Sequence, residues 1–170
     1  MRSAKVCIIG DFAVGKTSTV ARFVNNEFSE KYLTTVGVKI DTKQVDIPSG
    51  SVKLIIWDVA GTDRLSDIEL AYLRGSAGFI LVADGTRAAT VESALRLKAD
   101  IVAQYGELPF VAMLNKFDLS DEWQIHHDEL AVSRSAGVEW ITCSAKTGEG
   151  VAMAIETLAT SISDAATEST

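Results

Sequence analysis

The feature that most limits what this chain can fold into is "KVCIIGDFAVGKTSTVARF", residues 5–23. The apolar run Val6–Ile9 ends at Gly10, four residues pass, and Gly15-Lys16-Thr17 opens a segment with helical periodicity. Strand, glycine-bearing loop, then helix is the context in which G-x-x-x-x-G-K-T cradles phosphate. Its glycines let backbone N–H groups face anionic oxygens, and the helix N-terminus adds favourable partial charge. Lys16 is placed to reach the outer phosphates, and the Thr17 hydroxyl to bind Mg²⁺.

The rest of the chain alternates in the same way. Strands are expected at Val6–Ile9, Gly37–Ile47, Val52–Trp57, Phe79–Asp84, Phe110–Leu114 and Trp140–Cys143, with the turn "PSGS" (48–51) joining the second and third. Helices are expected over Lys16–Asn26, Val91–Tyr105, roughly 125–136, and a last segment carrying Val151, Ile155, Leu158 and Ile162. Strands mostly alternating with helices imply crossover units. The fold class is therefore α/β: a three-layer, mostly parallel six-stranded sheet with one antiparallel strand and helices on both faces. Ligands in such folds bind beyond the carboxyl ends of the strands. "GDFAVGKT", "DVAG", "NKFD" and "CSAK" each lie just after or at the end of an expected strand, so four polar clusters converge on one rim.

At 170 residues the chain suits one domain, expected over 1–163 with a short polar tail at 164–170. The net charge of −7 argues against a nucleic-acid footprint or a polybasic membrane patch. Cys7 and Cys143 sit in apolar runs and read as buried reduced thiols, which points to a reducing, cytoplasmic setting. No stretch approaches a membrane span, and "AGFILVA" (77–83) reads as a buried strand. The ending "ISDAATEST" has no cysteine, so no lipid anchor is expected from this chain.

Two further clusters carry chemistry. Asp58 ends the apolar run "IIWD", where an acid is costly unless a cation at the rim compensates, and magnesium held partly through water would do so. Asp118, at the end of "NKFD", can accept two hydrogen bonds from the N1–H and exocyclic amine of guanine. Adenine offers no such donor pair. In "CSAK", Ala145 can bring a backbone N–H to the guanine O6 while Ser144 steadies Asp118. His126 and His127 read as solvated helix-start residues and Trp57 as core or surface.

"GDFAVGKT", "YLTTVGV", "WDVAGTDR", "NKFD" and "CSAK", in this order and spacing, resemble the Ras superfamily of small GTPases, most closely its Rab-like branch, over residues 4–162. The resemblance implies a P-loop NTPase fold and a switch that binds GTP or GDP with Mg²⁺. It places Asp11, Phe12, Ala13, Val14, Gly15, Lys16, Thr17 and Ser18 around the phosphates, with Asn115, Lys116, Asp118, Ser144, Ala145 and Lys146 around the base. Phe28 would pack on the guanine edge, Lys116 would lie over its face, and Tyr32 would close over the phosphates. Thr17 and Thr35 would hold Mg²⁺, with Asp58 acting through water, and Gly61 would donate its N–H to the γ-phosphate. Lys16, Thr35, Gly61 and Thr62 become the catalytic set. Segments 28–38 and 60–75 become two switches for effector and regulatory proteins, with Val36, Val38, Ile40, Trp57 and Leu65 as apolar anchors. Rab-like proteins that act on membranes usually end in prenylated cysteines, so either a lipidated C-terminus lies beyond this sequence or the protein works in the cytosol through protein partners, as a prokaryotic relative would.

The pattern breaks twice. Efficient hydrolases of this family carry glutamine where this chain has Thr62, and a small residue where it has Phe12. Glutamine orients the attacking water, and a phenyl ring at Phe12 would crowd both that position and an arginine supplied from outside. Slow GTP hydrolysis is the expectation, with a GTP-binding adaptor that barely hydrolyses as the alternative. Arg64 is a conceivable internal cation, although a solvent-facing or partner-facing arginine is the more ordinary role.

Overall fold

The computed structural model describes residues 2–25, 38–59 and 61–168. Six strands, β1 (Arg2–Gly10), β2 (Lys39–Ile47), β3 (Gly50–Asp58), β4 (Gly78–Asp84), β5 (Phe110–Asn115) and β6 (Trp140–Thr142), form one sheet in the order β2-β3-β1-β4-β5-β6. Only the β2–β3 hairpin is antiparallel; the other four pairings are parallel. Helices α1 (Lys16–Asn25), α2 (Asp67–Ala71), α3 (Ala88–Tyr105), α4 (His127–Ser135) and α5 (Val151–Glu168) complete the layers.

A strand covered on both faces can be apolar at every position, and β1 shows how the sheet uses this. Successive side chains point to opposite faces. Val6 and Ile8 join Leu54, Ile56, Met113, Ile155 and Leu158 in one core, which includes residues of α1 and α5. Cys7 and Ile9 join Phe79, Leu81, Leu97 and Ile101 in the other, which includes residues of α3. Both cysteines are buried and free. No helix among the described residues is long and apolar enough to cross a membrane.

The parallel topology sets the strand ends in a row. Gly10, Asp58, Asp84 and Asn115 terminate β1, β3, β4 and β5 on the same edge, with Asp84 directly opposite Asn115 in register. Several boundaries differ from the sequence reading. Strand β1 begins at Arg2 rather than Val6, because ladder pairing from Arg2↔Val52 onward needs no apolar side chain. Helix α3 starts at Ala88, where Thr90 N–H and its hydroxyl both bond the Arg87 carbonyl. The last helix continues to Glu168, so residues 164–168 of the expected tail are helical. Helix α2 and a 3₁₀ turn over Phe117–Glu122 escaped the periodicity reading because each is too short to show a period. The α2 signal was local: Ser66 and Glu69 cap each other reciprocally.

Candidate nucleotide site

The loop between β1 and α1 is gripped from outside at four consecutive residues. Ser93 on α3 donates to the Asp11 carboxylate at 2.8 Å, and Arg87 donates to the Phe12 carbonyl at 2.7 Å. Lys116 donates to the Ala13 carbonyl at 3.0 Å, and Asn115 to the Val14 carbonyl at 3.0 Å. The loop bends through Ala13 and Gly15, both at positive φ (59° and 102°). A Cβ on Gly15 would lie 2.3 Å from the Asn115 amide nitrogen, so glycine is required there on both counts.

Helix α1 then starts with no acid in its first turn, and Ser18 lies buried in that turn. Lys16 is only 6% exposed, and its ammonium donates to the Asp11 carbonyl at 3.2 Å. Burial pulls its pKa down, against the opposing pull of Asp58, Asp11 and Glu69. Asp58 is as buried, and its carboxylate accepts from the Thr17 hydroxyl at 2.6 Å. Burial pushes its pKa up, with the Thr17 bond and the Lys16 charge working the other way. An acid-free helix start backed by a buried ammonium fits an anion. The paired hydroxyl and carboxylate beside it are the hard oxygen donors that suit Mg²⁺.

Gly61 closes over this end. A Cβ there would fall 2.7 Å from the Phe12 Cα and 3.1 Å from the Lys16 ammonium, so no side chain fits. Thr62 donates its N–H to the Gly10 carbonyl at 3.1 Å, while its hydroxyl donates to the Arg64 carbonyl at 2.5 Å. The Arg64 guanidinium is directed elsewhere and pairs with Asp100 on α3 at 3.5 Å. The Phe12 ring is 63% exposed, so the loop presents it to solvent rather than packing it.

At the other end of the rim, the Ser144 hydroxyl donates to Asp118 at 2.7 Å and accepts the Thr147 N–H. Lys116 is held in the left-handed region (φ 73°), with the Trp123 indole N–H on its carbonyl at 2.8 Å. Its ammonium pairs with Asp84 at 2.8 Å. Asp84 is fully buried, and Thr86 and Arg87 complete its hydrogen bonds. Burial alone would raise its pKa, but the bonds from Lys116, Thr86 and Arg87 outweigh burial and lower it. The Ala145 N–H, expected to face a base oxygen, donates instead to the Asn115 side-chain oxygen at 3.0 Å. The carbonyls of Ala145 and Lys146 are both clamped by Arg22 on α1, at 2.9 and 2.6 Å.

The structure therefore brings Asp11–Ser18, Asp58, Gly61, Thr62, Asn115, Lys116, Asp118 and Ser144–Lys146 to one edge. Phe28, Tyr32 and Thr35 lie outside the described residues, as does Val36. His126 and His127 sit at the start of α4, where Glu129 accepts the His126 N–H. Sequence reasoning missed Arg22, Asp84, Arg87, Ser93 and Trp123. Only Asp84 carried a signal, since it closes an apolar strand as Asp58 does.

The Ras family model matches residues 5–164. Among curated proteins, the chain is 34% identical over 167 residues to "Ras-related protein Rab-1" of Theileria parva, covering 96% of this chain and 76% of that one. It is 36% identical over 157 residues to human "Ras-related protein Rab-25", covering 91% and 73%. With "Ras-related protein RABA5a" of Arabidopsis thaliana it shares 35% over 157 residues, covering 91% and 71%.

Proposed function

The chain belongs to the Ras family, as a Rab-like small GTPase, and from that premise we propose that it is a guanine-nucleotide switch that turns over GTP slowly. The observation that carries the base assignment is Asp118, held by Ser144 on the edge that also bears Lys16, Thr17 and Asp58. Guanine alone among the common bases offers the N1–H and exocyclic amine that Asp118 would accept, and ATP would leave that carboxylate unpaired. The N–H groups of residues 13–18 and the Lys16 ammonium would hold the phosphates. Thr17 and Thr35 would hold Mg²⁺ directly, with Asp58 acting through water. Bound there, Mg²⁺ draws charge from the phosphate oxygens.

Slow hydrolysis is the reading that Thr62 and its neighbour Arg64 support. The Thr62 hydroxyl is committed to the Arg64 carbonyl in its own turn, and it lacks the reach of an amide over an in-line water. Arg64, paired with Asp100, is the solvent-side arginine of the ordinary role rather than a charge at the phosphates. These contacts also favour the second reading, a GTP-holding adaptor that signals by occupancy. Effectors and regulators would dock on segments 28–38 and 60–75, where Ile68 is exposed, with the exposed Ile40 just beyond the first of them. A cytosolic setting is part of the same proposal.

Single-turnover hydrolysis decides between the readings. GTP-loaded wild type is compared with Phe12→Gly, Thr62→Gln and the double change. Retention of GTP for hours, shortened by the substitutions, is the expected result. Brisk cleavage by wild type would refute the slow-switch reading, and equal competition by ATP would refute the base assignment.

A further inference from the structure

We propose that Arg87 is a positioning residue for the phosphate loop, a role that rests on the guanine-nucleotide reading above. A trans peptide is planar, with its carbonyl and N–H pointing in opposite directions. Whatever fixes the Phe12 carbonyl therefore fixes the Ala13 N–H, aiming it away from the gripping group. Arg87 is that group: its terminal nitrogen donates to the Phe12 carbonyl at 2.7 Å while its Nε donates to Asp84 at 3.0 Å. The same logic applies one and two peptides further on, where Lys116 and Asn115 grip the carbonyls of Ala13 and Val14. Three successive N–H groups are thereby turned to the side opposite three donors, and Arg87 sets the first of them.

The anchor makes this a defined position rather than a passing surface contact. Asp84 is 1% exposed and is itself fixed by the Thr86 N–H at 2.9 Å and the Thr86 hydroxyl at 2.7 Å. Arg87 lies between this buried acid and the loop, 75 residues away in sequence from the carbonyl it holds. A guanidinium presents two donors in a rigid fork, which an ammonium on a flexible stem does not. The backbone of Arg87 is fixed as well, because its N–H bonds the Asp84 carbonyl and its own carbonyl starts α3.

The test is release of a fluorescent GDP analogue from the full chain in excess Mg²⁺, chased with unlabelled GDP. Arg87→Ala should release about tenfold faster, as expected for loss of one charged hydrogen bond. Arg87→Lys should fall between it and wild type. A spectroscopic readout separates positioning from general loosening: the ³¹P resonance of the bound β-phosphate should move in Arg87→Ala. If the alanine variant does not fold, Arg87→Lys carries the test, with faster release and a shifted resonance expected. Variants that release within about twofold of wild type and leave the resonance in place overturn the inference alone. A wild type that retains no GDP overturns the reading beneath it, and the inference with it.

Discussion

The two ends of the rim solve opposite electrostatic problems. At the base end a buried acid, Asp84, is surrounded by Lys116, Arg87 and Thr86, and their hydrogen bonds outweigh burial to hold its pKa low. At the phosphate end burial dominates. Lys16 is pulled down and Asp58 pushed up, each toward its neutral form, despite lying close enough to attract one another. One end is a finished charge network that stiffens the frame. The other holds its charges at a cost that an anion and a cation, arriving together, would relieve.

That contrast can be broken most sharply at Lys16. Lys16→Ala should weaken GDP binding by about 4 kcal/mol, roughly a thousandfold, because the ammonium's charged hydrogen bonds to the phosphates disappear. Titration calorimetry measures it. The variant should still fold, since a buried ammonium held by one carbonyl contributes little to stability, and a collapsed fold would show that the phosphate end is structural after all.

Asp118→Asn comes next. It should cost GDP about 3 kcal/mol and improve xanthosine diphosphate, whose 2-oxo group accepts from the new amide. Unchanged selectivity would move base recognition away from Asp118.

The acids then test the comparison directly by denaturant unfolding of the nucleotide-free protein. Asp84→Asn should lose about 2 kcal/mol near neutral pH, because Lys116 and Arg87 lose the carboxylate that balances their charges. Asp58→Asn should gain about 1 kcal/mol, because a buried charge is removed. The pH dependences run in opposite senses. Asp84, with its lowered pKa, contributes fully above its ordinary 3.8, and that contribution is lost as pH falls below 3.8 toward its folded value. Asp58, with its raised pKa, makes the fold less stable as pH rises from 3.8 through its folded value. Shifts of the same sign in both variants would erase the distinction.

An effect as small as that of Asp58→Asn is expected at Trp123. Trp123→Phe keeps the ring against Gly85 and Phe117 but removes the indole N–H from the Lys116 carbonyl. A loss of about 1 kcal/mol in urea is expected, and no change would mean that Lys116 keeps its left-handed backbone unaided.

What could be read from the chain was what repeats at short range. Continuous apolar runs at Val6–Ile9 and Phe79–Ala83 located the central strands, and the G-x-x-x-x-G-K-T spacing located the loop. The pairing of Ser144 with Asp118 also followed, because both lie directly after strands whose ends face the same rim. The outer grip did not. Arg87 meets Phe12 across 75 residues and Arg22 meets Ala145 across 123, and nothing local distinguishes those arginines from solvated ones. The same holds for the Ala145 N–H, whose bond to the Asn115 side chain spans 30 residues and is visible only in three dimensions.

The central place of β1 in the sheet has a consequence for synthesis. Strand β1 is flanked by β3 and β4, so it gains its second neighbour only once residues to Asp84 have been translated, about 4–15 s after Gly10 at ordinary rates. The residues that grip the loop arrive later still, at 87, 93, 115 and 116. A nascent chain thus carries its phosphate loop well before the residues that shape it. Until then that apolar strand has only part of its sheet to join.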